Sequence, residues 1–444
     1  MKWIILIGLI GILGNSRAQK KWSLEDCIDY GVEQSLQMQR QLLQNKNQQL
    51  NLRDVALELI PSVNAISPYV SYNYGRGIDP ETNTYTNVEN RTIGGFSVGG
   101  GVTLFSGFSG INRLRNAKIA RLQGLEQTEN LANDLAIQIM DAFFSLVYAE
   151  ESIRITAELL ENSALQLKKI QREYELGRRP KSDLFDMQAQ YASNEYQLST
   201  CRNNRENAMI TLTHLMNYQE EEELVIDIST LSAIVPVQEK SDVQQIYDKA
   251  LKELPEALIA GYNVKSYKLN LAITRASLYP SLSLSGNISF GYYSNHSEGS
   301  FWSQVGDKNR IGKSVGLSMN IPVFYGLGRR SNVSRAKNNY RSAQIQYEQT
   351  QQSIHNAIRR AVLDLESGIQ QYNLARKKEE FSVLSYNAGK KRYEQGLSTI
   401  IDLNTVSNNV LQAKYDLLKA RLNYVMQKKM VDFYKGEPLQ TRVH

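Results

Sequence analysis

The chain has 444 residues, a formal net charge of +6 and two cysteines. So mild a positive charge does not require a nucleic-acid partner, and two cysteines cannot supply the disulfide framework of a small secreted domain. Cys27 and Cys201 could pair, but helix-forming sequence around both favours two free, buried thiols. Beyond the N-terminus, no stretch approaches the roughly 18 consecutive apolar residues of a transmembrane helix.

The first element along the chain is an N-terminal segment, "MKWIILIGLIGILGNSRAQ". It has one lysine, an apolar run of eleven residues from Trp3 to Leu13, and the small-x-small sequence Ser16-Arg17-Ala18. This pattern predicts a secretory signal peptide over residues 1–18. A membrane anchor is the alternative, but eleven apolar residues are too few to span a bilayer.

A helix and two strands follow. The Pro-free segment Trp22–Ile60 is rich in Gln, Leu, Asn and Glu and predicts a helix that ends at Pro61. In segment 61–106, apolar residues alternate with small polar ones, which predicts a β-hairpin whose strands have one apolar and one polar face. A polar loop, roughly Gly75–Gly95, would join the strands, and Asp79–Asn87 is interpreted as an exposed outer loop with ion binding as the alternative.

The next element is a very long helix. No proline occurs from Ile111 to Gly177, and 67 helical residues would extend about 100 Å. Apolar residues seven apart indicate that this helix lies alongside a second one. Gly177 can take positive φ where the helix ends and reverses, and Pro180 suits the first turn of the returning helix.

The same elements then recur. "YELGRRPKSDLFDMQAQYASNEYQL" at Tyr174–Leu198 matches "YEQGLSTIIDLNTVSNNVLQAKYDL" at Tyr393–Leu417, 219 residues later. A second β-hairpin is predicted at 280–325 with a loop at roughly Ser294–Ser314, and a second turn at Gly396, where Ser398 could cap the returning helix. The predicted organisation is a signal peptide at 1–18, a first repeat at 19–218 with its tip near 177–183, a linker at 219–242, a second repeat at 243–435 with its tip near 396–402, and a tail at 436–444.

Four strands with an apolar face suggest a membrane sheet. Their length suits tilted transmembrane strands, and an aromatic girdle near one end would comprise Tyr69, Tyr72, Tyr74, Tyr292, Tyr293 and Trp302. Because open sheet edges are not tolerated in lipid, closure would need further subunits. A secreted sandwich with coiled-coil arms is the alternative.

The duplicated helix–strand–strand–helix plan, Pro-Ser at each strand entry (Pro61-Ser62, Pro280-Ser281) and Tyr-x-x-Gly followed six residues later by Asp-Leu resemble the TolC family of outer-membrane efflux proteins. The resemblance extends from Trp22 to about Tyr434. It implies a mainly α fold with membrane β-strands: long antiparallel coiled-coil hairpins plus four transmembrane strands per chain, which close a 12-stranded barrel and an α-helical barrel as a trimer.

The resemblance also implies a function. The protein would be a trimeric exit duct of a tripartite efflux or type I secretion system, located in the outer membrane with a large periplasmic helical portion. Its partners would be further copies of itself, a periplasmic adaptor (membrane fusion) protein that opens the tip, an inner-membrane pump of RND, ABC or MFS type, and outer-membrane lipid. No enzyme activity, cofactor or nucleic-acid partner is expected. An exported structural or adhesive coiled-coil protein is the alternative.

The site residues also follow from the resemblance. Asp402 falls on an aspartate position that lines the closed periplasmic aperture, and Asp183 matches it in the first repeat. Thr405 stands where a second aspartate would fall, and Asp186 could supply that charge. A ring of carboxylates would favour cations; the alternative is that Asp183 and Asp402 only complement the helix dipole.

Adaptor docking is assigned to the two helical tips. The residues are Gly177, Arg178, Arg179, Pro180 and Lys181 in the first tip, and Gly396, Leu397, Ser398 and Thr399 in the second. A solvated charge run is the alternative for the basic residues. No catalytic or metal site is predicted, because His214, His296, His355 and His444 have no ligand spacing.

Overall fold

A computed structural model describes residues 21–78, 82–219, 224–228, 236–237, 242–294, 301–305, 307–324 and 327–440, with only the backbone at 66–74, 86–93, 293–294, 301 and 305. The predicted signal peptide, most of the linker and the start of the outer loop at Asp79 lie outside these residues.

The N-terminal helix is shorter and more interrupted than the sequence suggested. Lys21–Trp22 forms a strand, β1, and Ser23 caps α1 (Leu24–Gln34) through a capping box with Asp26. Ser35 has an extended backbone (φ −62°, ψ 124°) and separates α1 from α2, Leu36–Leu57. The prediction of one helix over Trp22–Ile60 was therefore wrong, because the hydroxyl of Ser35 accepts a hydrogen bond from the amide of Gln37 and starts a new helix.

The remaining elements are β2 (Ser62–Ile78), β3 (Tyr85–Ser106), α3 (Ser109–Glu175), α4 (Lys181–Met216), β4 (Val225–Ile226), α5 (Val243–Glu253), α6 (Pro255–Ala276), β5 (Ser281–Ser294), α7 (Phe301–Val305), a 3-10 turn (Lys308–Arg310), β6 (Ile311–Asn320), α8 (Gly328–Glu394) and α9 (Ile400–Tyr434). The predicted long helices and the four predicted strands occur in the predicted order, and β4, α7 and a 3-10 turn occur between them without having been predicted. Among the described residues, none of the helices has the length and apolar content needed to cross a membrane.

Two sheets are present in the described chain. β1 pairs in parallel with β4, and β4 lies inside the segment 219–242 that was predicted to be a linker. The larger sheet has the order β2-β3-β5-β6 with antiparallel neighbours, so β2 and β6 are its edge strands.

The register gives the four-stranded sheet two different faces. Residues directly opposite each other point to the same side of a sheet, and Phe96 pairs with Phe290, which pairs with Ile311. The same face continues through Val98 and Ile288, and on β6 it carries one lysine, Lys313, opposite Ile288. On β3, β5 and β6 the opposite face carries small polar residues and glycine: Ser97, Gly99, Gly101, Thr103, Ser283, Ser285, Asn287, Ser289, Gly312, Ser314, Gly316 and Ser318.

Both interstrand loops were placed wrongly. β2 continues to Ile78 and β3 begins at Tyr85, so most of the loop predicted at Gly75–Gly95 is strand, including the end of the predicted outer loop. Strand pairing thus extends well into polar sequence that lacks alternation. The second connection is also shorter than Ser294–Ser314, because β6 begins at Ile311 and α7 lies within the connection.

The described residues divide into two compact units. The helical unit comprises those of Met1–Arg40, Thr128–Leu254 and Gln352–His444, and the strand unit those of Gln41–Gln127 and Pro255–Gln351. Each unit takes segments from both sequence repeats. The helical unit has a core of fully buried Ile139, Met140 and Phe143 on α3 with Leu212 and Met216 on α4, and it contains both cysteines, which are buried and free as expected.

Candidate functional site: the paired helix turns

The two predicted tips have the same backbone geometry. At the first, the amide of Gly177 donates to the carbonyl of Tyr174 (2.8 Å) and that of Arg178 to Glu173 (2.8 Å). At the second, Gly396 donates to Tyr393 (3.0 Å) and Leu397 to Arg392 (2.8 Å). These bonds define a Schellman motif at the end of both long helices.

The glycine in each motif is required by the backbone. Gly177 and Gly396 have φ of +72° and +75°, a region that L side chains rarely adopt. Apart from the adjacent residues, no atom in the described part of the chain lies within 4 Å of where a Cβ would stand. The requirement is therefore conformational rather than steric.

The second returning helix, α9, begins with a side-chain cap. Thr399 is its N-cap: the amide of Asp402 donates to Thr399 Oγ1 (3.2 Å), and the amide and hydroxyl of Thr399 donate to Asp402 Oδ2 (3.0 and 2.8 Å). The expectation that Ser398 caps this helix was wrong by one residue, and Ser398 Oγ is buried without a hydrogen-bond partner in the described chain. The hydrogen bond from the backbone of Thr399, then that from its side chain, lowers the pKa of the Asp402 carboxyl.

The first returning helix begins differently. Pro180 occupies the N-cap position of α4 with an extended backbone (φ −70°, ψ 157°) and makes no side-chain cap. It therefore lies one residue before the helical turn to which the sequence assigned it.

Arg179 connects the two turns. Its guanidinium donates to Glu173 Oε2 (3.2 Å), to Asp183 Oδ2 (3.5 Å) and to the backbone carbonyl of Tyr393 (3.2 Å). The same group lies over the Tyr393 ring, 4.5 Å from its centroid, and only 20% of the side chain is exposed. A residue expected among the free charges of the tip instead bonds the first hairpin to the second.

Apolar packing supports this connection. One buried cluster contains side chains from both hairpins: Ile170, Leu184, Met187, Tyr393, Ile400 and Leu403. At its edge, Lys169 Nζ lies 3.2 Å from Glu394 Oε1 on the other hairpin. Burial in the cluster raises the pKa of the Tyr393 phenol, whose oxygen has no hydrogen-bond partner among the described residues.

The predicted aperture residues differ in their surroundings. Asp183 is partly buried and bonded to Arg179, whereas Asp402 is exposed and bonded to Thr399. Thr405 is exposed, and its hydroxyl donates to the Ile401 carbonyl (2.9 Å).

The tip surface holds the other predicted residues. Asp186, Arg178, Lys181 and Leu397 are exposed. The sequence analysis did not identify Glu173, Lys169 or Glu394 as tip residues. In the sequence they could be recognised only as charged residues of opposite sign close to Gly177 and Gly396.

A sequence model of the outer membrane efflux protein family matches residues 246–433. TolC of Escherichia coli is 24% identical over 303 residues, which cover 66% of this chain and 59% of the E. coli protein. The alkaline protease secretion protein AprF of Pseudomonas aeruginosa is 21% identical over 331 residues, covering 74% of this chain and 67% of AprF. The crystal structure of the outer membrane protein VceC of Vibrio cholerae has the same fold, with a TM-score of 0.79 at 13% identity over 94% of this chain and 97% of VceC.

The duplicated hairpins and the four-stranded sheet have the fold of VceC, and the family whose model matches is one of channels and not of enzymes. The chain is similar to the TolC-like outer membrane efflux proteins, whose family model matches its residues 246–433. This confirms the predicted fold class of long helices with four strands, and the localisation to the outer membrane with a periplasmic helical portion. The match spans 59% of the length of E. coli TolC, less than two thirds.

Proposed function

We propose that this protein is one subunit of a trimeric outer-membrane channel that serves as the exit duct of a tripartite efflux or type I secretion system. The observation that carries the proposal is the four-stranded sheet, which has one mainly apolar face, one face of small polar residues and, among the described residues, two unpaired edges at β2 and β6. The apolar face suits lipid, and the polar face suits a water-filled lumen.

Closure of this sheet requires more copies of the chain. Unpaired backbone groups cost several kcal/mol each in hydrocarbon, so β6 of one copy would pair with β2 of the next. Two copies would give 8 strands and three would give 12, both permitted numbers; the resemblance to the TolC family favours three. The repeats, 19–218 and 243–435, would then form equivalent halves of each subunit's wall.

The helical unit would form the periplasmic part of the duct. The family name supports efflux as the activity, and the name of AprF supports protein secretion as the other. In either system a periplasmic adaptor would join the duct to an inner-membrane pump of RND, ABC or MFS type, and docking of the adaptor on the paired turns would open the resting channel.

The aperture of the closed channel would be lined by Asp183, Asp186, Asp402 and Thr405. Asp183 is bonded to Arg179 and Asp402 to the helix cap Thr399. Asp186 is exposed and has neither bond in the described chain. Three copies of Asp186 in a narrow pore would attract cations and repel anions.

The first experiment measures conduction in planar bilayers. Detergent-extracted protein should give discrete, ohmic, cation-preferring channels, and Asp186→Asn should reduce the cation preference without abolishing conduction. The matched control is Glu206→Gln, an exposed carboxylate near the other end of α4. Protein that sediments as a trimer but never conducts would favour a structural or adhesive role instead.

The second experiment tests the two faces of the sheet. In a background with Cys27 and Cys201 replaced by alanine, Ser318→Cys and Leu317→Cys place a thiol on the polar and on the apolar face of β6. A membrane-impermeant maleimide should label Ser318→Cys in vesicles and leave Leu317→Cys unlabelled. Equal labelling of the two would contradict a lipid-facing apolar side.

A further inference from the structure

The surface around the paired turns has an excess of positive charge. Residues 168–186 and 390–402 contain nine basic and six acidic side chains, a net charge of +3 per subunit. Because charge of one sign on an exposed surface selects its partners, the distribution of these groups can indicate what binds there.

Most of the acidic groups are already engaged within the chain. Glu173 and Asp183 bind Arg179, and Glu394 binds Lys169. Asp402 accepts the capping hydrogen bonds of Thr399. These four carboxylates therefore present less negative charge outward than their number suggests.

Most of the basic groups are not engaged. Seven are exposed, and none forms an ion pair with a residue in the described part of the chain: Lys168, Arg172, Arg178, Lys181, Lys390, Lys391 and Arg392. Arg392 acts on Asp402 only through its charge, and Lys181 Nζ lies 5.1 Å from the Phe185 ring centroid. The remaining two acidic residues, Glu175 and Asp186, are exposed. Glu175 accepts a hydrogen bond from Gln171.

An apolar patch accompanies these charges at the turns. Large side chains are open to solvent there: Leu397 (67% exposed), Ile401 (65%), Leu176 (60%) and Phe185 (55%). Apolar residues accompanied by polar and charged ones are the composition of a protein-binding surface, in which the apolar part supplies affinity and the charges select the partner.

We propose that the paired turns bind an acidic protein surface, with leucine-type side chains on Leu176 and Leu397 and with Asp or Glu facing Arg178, Lys181 and Lys391. This rests on the proposed adaptor docking and specifies its chemistry. A partner with a basic tip is disfavoured by like charge.

The test uses a synthetic helical hairpin peptide with two leucines and three glutamates at its turn. Two matched peptides carry glutamine or lysine in place of the glutamates. The detergent-extracted full chain is immobilised, and association rates are measured by surface plasmon resonance at about 50 mM and about 500 mM NaCl, which span weak and strong screening. The acidic hairpin should associate at least about tenfold faster than the glutamine hairpin at low salt, and high salt should remove the difference.

Two triple variants separate local charge from total charge. Arg178→Gln/Lys181→Gln/Lys391→Gln should remove the preference for the acidic hairpin. Lys118→Gln/Lys268→Gln/Lys337→Gln, which removes exposed lysines of the strand unit, should leave it unchanged. Leu397→Ser should raise the dissociation rate of the acidic hairpin with little effect on its association.

The outcomes separate the inference from the proposed function. Equal rates for the three peptides, or a preference for the lysine hairpin, would overturn the acidic partner. So would binding to phosphatidylglycerol vesicles that depends on the same three residues, without binding of the acidic hairpin, because the ligand would then be lipid. If the same preparation conducts in bilayers while the peptide test fails, the acidic partner is rejected and the proposed channel is retained. If the acidic hairpin binds and no channel forms, the proposed channel is rejected and the acidic partner is retained.

Discussion

The Arg179 guanidinium donates a 3.2 Å hydrogen bond to the backbone carbonyl of Tyr393, a residue 214 positions away in the sequence. That carbonyl also accepts the amide of Gly396 in the second Schellman motif. One side chain of the first turn therefore bonds directly to the backbone that shapes the second, and the two turns are expected to open together rather than separately.

Replacement of Arg179 by alanine should loosen the second turn. The substitution removes the bonds of the guanidinium to Glu173 and Asp183 within the first hairpin. It also removes the charged hydrogen bond and the cation–ring contact to Tyr393, and the loss of these contacts to the second turn should cost about 1–2 kcal/mol. Hydrogen exchange of the Gly396 and Leu397 amides should accelerate by about tenfold or more. In the proposed channel, resting conductance should rise as well.

The control for this prediction is Arg178→Ala. Arg178 is adjacent to Arg179 and its side chain is exposed. Its hydrogen bond to the Glu173 carbonyl comes from the backbone amide, which alanine retains. If both variants changed exchange at Gly396 equally, the effect would be one of net charge and not of the contact with Tyr393.

Alanine at Gly396 should destabilise the turn for a different reason. Because space for a Cβ is available and φ is +75°, the cost is that of a left-handed backbone, about 1–2 kcal/mol. Gly261→Ala in α6 is the matched control: φ is ordinary there and the nearest atom that a Cβ would meet is 4.0 Å away. That change should stabilise its helix by about 1 kcal/mol. Local hydrogen exchange distinguishes the two, and a stabilised turn in Gly396→Ala would contradict the left-handed geometry.

The long elements were predictable because their signals are repeated many times. Sixty-seven residues without proline between Ser109 and Glu175, and strict alternation in the strand Ser281–Ser294, leave few alternatives. The positive-φ glycines were predictable too, since a long helix that must reverse needs such a residue.

Features set by one or two residues were missed. β1 and β4 have two residues each and pair over about 200 residues of sequence, so they carry no periodicity. Ser35 interrupts a helix in sequence with good helix propensity, and Ser398 and Thr399 offer similar hydroxyls one residue apart. The role of Arg179 depends on how two hairpins pack, and a single sequence does not specify that packing.

Removal of the Thr399 hydroxyl should weaken the start of α9. Thr399→Ala loses the cap on the Asp402 amide and should cost about 1 kcal/mol. Ser398→Ala is the control, because its buried hydroxyl has no hydrogen-bond partner in the described chain, and its loss should be neutral or slightly stabilising. Thermal unfolding of the two variants in detergent measures the difference. A larger loss from Ser398→Ala would mean that Ser398, and not Thr399, is the cap.

The capping box also predicts a pH dependence. Hydrogen bonds from Thr399 hold the pKa of Asp402 below its ordinary value of 3.8. A carboxyl whose pKa is lower in the folded than in the unfolded chain stabilises the fold above its unfolded pKa, and this stabilisation disappears as pH falls through the folded pKa. The melting-temperature difference between wild type and Asp402→Asn should therefore be constant from about pH 7 to about pH 5 and should shrink below about pH 4. In a Thr399→Ala background the hydroxyl donor is lost but the backbone amide of residue 399 still donates to the Asp402 carboxylate, so Asp402→Asn should produce a smaller difference that still shrinks below about pH 4. A difference that grows on acidification would show that the carboxylate destabilises the turn, and the capping assignment would then fail.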